Sequence, residues 1–152
     1  MKMWMWCVLG TVLFWGAYVP MIHHGQHAFG TKNSALRTFL FIGLAYFLVS
    51  AVVLAYTVLA KAEPLAFPRR AVSLSIAAGI LGALGALGIV FAIKSGGKPL
   101  AVAPLVFAGA PIMSTFVAMM WDKPAKPPGL MFYVGIATAA LGAAMVLRFR
   151  PS

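Results

Sequence analysis

Few side chains in this 152-residue chain are of types that do chemistry. His23, His24 and His27 follow a long apolar run. His23 and His27 are four apart, so a continuing helix sets both imidazoles on one face, the spacing of a two-histidine metal ligand pair. With no carboxylate or thiol beside them they make a poor cage. No metal is therefore expected, and solvated histidines at a membrane edge are the plainer reading. A pH sensor is a further alternative, since imidazole alone titrates near neutrality without perturbation.

A second set is aromatic. Trp15, Tyr18 and Tyr46 lie inside apolar stretches and offer broad faces with a polar tip, the walls of a pocket for an amphipathic or cationic ligand. Ser114 and Thr115 add hydroxyls at similar depth, and these five residues are the expected cavity lining. Thr11, Ser50 and Thr138 read as hydroxyls bonded one turn back along a helix. The only acidic residues, Glu63 and Asp122, fall between apolar runs. Proton-coupled export through an embedded carboxylate is thus disfavoured. No phosphate-binding glycine loop, Ser/His/Asp set or carboxylate pair is present, so neither an enzyme nor a cofactor is expected. Cys7 is the single cysteine, which excludes an internal disulfide and a cysteine metal cage.

The elements that must position these groups follow from composition. Hydrophobic residues make up 62% and charged ones 9%, with mean hydropathy +0.96. A soluble domain carries about 25% charged residues, and a chain this short has no aqueous core large enough to hide so much apolar surface. A soluble globule, a disordered chain and a disulfide scaffold are excluded together. The expected fold is all-α and integral to a membrane.

Crossing roughly 30 Å of hydrocarbon takes about 20 mainly apolar residues. Five stretches meet that length: 3–22, 39–60, 71–93, 100–121 and 130–147, none with a charged residue. They are continuous rather than alternating, so they read as helices. The first is too long for a secretory signal core and lacks a small-residue cleavage site, so a retained span is expected. Gly, Pro, Asn and Ser mark the breaks at 23–37, 61–70, 94–99 and 122–129. These are short, so the expectation is one membrane domain over 1–152 with consecutive helices antiparallel.

The net charge of +10 is spread singly or in pairs between apolar runs. That reads as anchoring to anionic headgroups rather than a nucleic-acid surface. Counted by side, Lys2, Lys61, Arg69, Arg70, Lys123 and Lys126 face Lys32, Arg37, Lys94, Lys98, Arg148 and Arg150. The balance leaves the positive-inside rule without a preference. Either neighbouring subunits fix the orientation, or copies insert both ways and pair, since inverted repeats build many transporters. Gly79, Gly82, Gly85 and Gly88 in the third span, with Gly135 in the fifth, give small-residue faces for close helix packing. Pro20, Pro104 and Pro111 predict kinks in the first and fourth helices.

Several motifs in order resemble one EamA-type repeat of the drug/metabolite transporter superfamily. Phe14-Trp-Gly-Ala-Tyr18 is similar to the motif that opens such repeats, and Arg37-Thr-Phe-Leu-Phe41 resembles the start of their second helix. The stretch 79–149 looks like the last three helices. It carries Phe91-Ala-Ile-Lys94, Val102-Ala-Pro-Leu-Val-Phe-Ala-Gly-Ala-Pro111, Asp122 at the next boundary, and Gly135-Ile-Ala-Thr-Ala-Ala-Leu-Gly142. The resemblance implies an EamA-like single repeat of five helices. Typical members carry two inverted repeats around a cavity and move metabolites, amino acids or drugs. This chain has one, with Asp122 where Glu is usual and no charged cavity residue.

Two functions are then expected alternatives. One is a half-size transporter in a bacterial inner membrane, a homo-oligomer that moves a small organic molecule. The other is a non-catalytic subunit that supports a larger membrane complex with a partner membrane subunit. The lipid bilayer is a partner in both, and nucleic acid in neither.

Overall fold

The computed structural model describes residues 2–30, 34–121, 124 and 126–149. Among them the chain forms five helices and no strand: α1 (Met3–Ala28), α2 (Ser34–Leu59), α3 (Arg69–Lys94), α4 (Pro99–Trp121) and α5 (Leu130–Phe149). All five are long and apolar enough to cross a membrane, with window hydropathies from 1.6 to 2.4. They fit a multi-pass membrane protein. Helices satisfy every interior backbone group within the segment, which lipid demands. Apolar side chains cover each helix on all sides, as lipid-exposed spans allow and water does not. Phe14 is 79% exposed and Phe47 68%.

The helices outrun the apolar stretches that announce them. The segment 23–37, expected as a loop, is helical to Ala28 and again from Ser34. Hydropathy falls at His23, but backbone hydrogen bonding continues for another turn and a half. α1 has 26 residues, or about 39 Å at 1.5 Å per residue, roughly 9 Å beyond the hydrocarbon thickness. α2 likewise starts five residues before the expected 39, and α3 takes in Arg69, Arg70 and Lys94. Asp122, Lys123, Lys32 and Arg150, used in the boundary and charge arguments, lie outside the described residues.

Helix ends follow cap chemistry. Gly30 (φ +66°) and Gly96 (φ +95°) stand just past α1 and α3 in the left-handed region, where a side chain is strained. Their amides donate to the carbonyls of His27 (2.9 Å) and Ile93 (3.0 Å). α2 ends the same way on Lys61 (φ 47°), while the Ala62 amide donates back to Thr57 at 3.3 Å. Pro20, Pro104 and Pro111 all sit inside continuous helices.

Backbone proximity groups the chain into two compact units, divided within α1 after Pro20. The first holds residues 1–20 and 97–152, and within it α4 packs on α5. The second holds residues 21–96, and within it α2 packs on α3. In the second unit the buried residues gather at the end of α1 (Ile22, Gln26), the start of α2 (Ser34, Ala35, Thr38) and the end of α3 (Ala86, Ile89, Val90, Ile93). The α3 set has the i, i+3, i+4, i+7 spacing of one helix face.

Candidate functional site

α4 and α5 leave a groove of about 390 Å³ open along the first unit. Its walls are helix rows spaced by four: Phe107, Pro111 and Thr115 on α4 against Met131, Gly135 and Ala139 on α5, with Phe132 and Ile136 beside them. The space exists because small residues stand where larger ones would meet. A Cβ added at Gly135 would find nothing within 4 Å.

Two polar groups belong to residues of this lining. Pro111 has no backbone N–H, so the Phe107 carbonyl one turn earlier loses its helical donor. Thr115 is half-buried in the same row. Thr11, Thr57 and Thr138 each donate to the carbonyl four residues back, at 3.0, 2.8 and 2.8 Å, whereas Thr115 makes no such bond. Its hydroxyl therefore keeps its donor and acceptor capacity. A largely apolar cleft with a few placed polar groups is the usual form of a small-molecule site.

The five residues expected to line a cavity divide as follows. Thr115 lines the groove. Trp15 meets its wall, the Trp15 and Phe107 rings lying 6.0 Å apart at 51°. Tyr18 is half-buried in the same unit with its hydroxyl out of solvent. Ser114, one residue from Thr115, turns about 100° away around α4 and is exposed. Tyr46 belongs to the second unit and is 52% exposed on α2.

Gly79, Gly82, Gly85 and Gly88 are exposed on α3, and a Cβ at any of them would meet nothing within 4 Å. Within the chain they hold no neighbour close.

The second unit also carries a polar cluster that hydropathy reading passes over. The Gln26 side-chain amide donates to the Val90 carbonyl at 2.9 Å, with both residues buried. A side-chain bond inside an apolar unit fixes where the end of α1 meets α3, and losing it would leave a buried amide unpaired. Beside it the Thr38 hydroxyl is buried without a hydrogen-bond partner among the described residues. The Arg37 guanidinium sits 5.2 Å over the Phe29 ring, which stacks on Phe41 at 6.0 Å. No spacing in the sequence marked Gln26, because its partner is a backbone carbonyl 64 residues away. His23 and His27 do share a face, their Nε2 atoms 3.2 Å apart.

Compared with family models, curated proteins and solved structures, the chain matches none.

Proposed function

We propose that this chain is a half-size membrane transporter of the EamA-like kind, working as a pair of copies to move a small amphipathic organic solute. The observation that carries the reading is the α4–α5 groove, an apolar cleft whose lining residues bring the Thr115 hydroxyl and, since Pro111 lacks an N–H, a Phe107 carbonyl without its helical donor. Both accept hydrogen bonds, and Phe107 and Phe132 present aromatic faces. That chemistry suits a solute with N–H donors on an apolar frame. The groove is open along one side, and the α3 glycines offer a surface where another helix backbone can approach. A second copy supplies the half that a one-repeat chain lacks. On this reading the chain works in a bacterial inner membrane.

The competing reading is a structural subunit of a larger complex, favoured by the absence of any acidic residue within the five helices. Native mass spectrometry from a mild detergent separates the two. A discrete homodimer is expected. A fixed complex with unrelated subunits would overturn the transporter reading and return the groove to packing.

A further inference from the structure

The histidine turn at the end of α1 belongs to the second unit and is not among the residues that line the groove. His23 and His27 stand one turn apart, ring centroids 4.4 Å and Nε2 atoms 3.2 Å from each other. Imidazole binds a late first-row divalent ion at about 2.0–2.1 Å, so two such nitrogens on one tetrahedral ion are separated by roughly 3.3–3.4 Å. The observed separation is already within a few tenths of an ångström of that bite.

Three further features favour a cation here. The turn projects beyond the apolar run 3–22, and His27 is exposed, so water can reach the ion. His27 occupies the last turn of α1, where the helix dipole presents its negative end. Among the described residues neither ring has another hydrogen bond, each Nε2 having only the other as its partner.

We infer that His23 and His27 form a two-imidazole clamp for one late first-row divalent metal ion at the end of α1. In the metal-free pair one Nε2 carries a hydrogen and the other accepts it. Binding needs both Nε2 lone pairs, so that hydrogen moves to Nδ1 of its own ring by exchange with solvent. Charge and protons balance without any further reactant. Among the described residues no third His, Cys, Asp or Glu completes the set. His24 turns its ring edge to His23 at 5.6 Å. Water fills the remaining positions, making the site exchangeable rather than structural. Imidazole donors select Zn²⁺, Ni²⁺ or Cu²⁺ over Mg²⁺ and Ca²⁺, which prefer oxygen.

The test is Zn²⁺ titration of the full chain in detergent at pH 7.5, purified without a polyhistidine tag and followed by calorimetry. One Zn²⁺ per chain is expected, with no Mg²⁺ uptake. His23→Gln and His27→Gln should each weaken binding by about tenfold or more, as loss of a ligand must if outer-shell changes alone reach that range. His24→Gln should bind as the parent does. Metal-free melting of each variant checks that the fold survives. Parent affinity no higher than that of His23→Gln and His27→Gln, or loss of binding in His24→Gln alone, would overturn the assignment.

Discussion

At the residue scale, the α2 terminus shows how one side chain can hold a conformation its type disfavours. Lys61 takes the left-handed position that glycine fills after α1 and α3. For an L side chain that conformation costs roughly 1–2 kcal/mol. Lys61→Gly should therefore raise stability by about 1 kcal/mol, offset in part by glycine's greater freedom when unfolded. Thermal melting in detergent checks it, and an unchanged or lowered midpoint would contradict the assigned strain. The span read to 60 ends within one residue of α2, but no glycine or asparagine there announced the left-handed conformation of Lys61. Gly96 closely follows the end read for the third span, whereas Gly30 stands eight residues past the end read for the first. Gln26 was missed for another reason: a polar amide beside three histidines reads as a solvated loop until the helix continues through it and turns the side chain to the Val90 carbonyl.

Elements carry the groove. α4 has Pro104 and Pro111 in a 23-residue helix, and Pro111 withholds the donor that would cap the Phe107 carbonyl. Pro111→Ala restores that donor, so the helix should become more stable while the groove loses an acceptor. The expected pattern is a higher melting temperature with slower solute flux. Faster flux, or flux unchanged with higher stability, would show that the carbonyl does not touch solute. The five helices were plain in the sequence because lipid tolerates no polar interruption, so continuous apolar runs mark them. Most ends fall within two residues of those runs; the end of α1 and the start of α2 do not, because hydropathy reports the hydrocarbon boundary while the helix ends where its hydrogen bonds do. That is why α1 and α2 together absorb most of a segment read as loop. Of the expected lining, Thr115 and Trp15 reached the groove or its wall. Ser114 did not, since a one-residue step rotates a side chain by about 100° around a helix.

For the whole molecule the governing fact is how little the chain buries by itself. No residue of α5 is buried, and large apolar side chains from Trp4 to Phe149 lie open. Lipid covers such surfaces without penalty, so the exposed area says nothing of association; close backbone approach does. A Cβ added at Gly82 meets nothing within the chain, so on the proposed pairing Gly82→Leu should leave the folded monomer intact and remove the proposed homodimer. A dimer persisting in that variant would place the contact elsewhere. Bulk composition pointed to a membrane protein, which the five long apolar helices fit, whereas the groove needed the pairing of α4 with α5, which hydropathy does not encode.

The most direct test of the central claim is flux through the groove. Proteoliposomes of the parent chain should release the amphipathic cation ethidium faster than empty vesicles. Gly135→Leu adds a side chain to the groove from a position where a Cβ meets nothing within 4 Å, and it should abolish the excess while the protein still melts as the parent does. Equal release from parent, variant and empty vesicles would contradict a transporting groove.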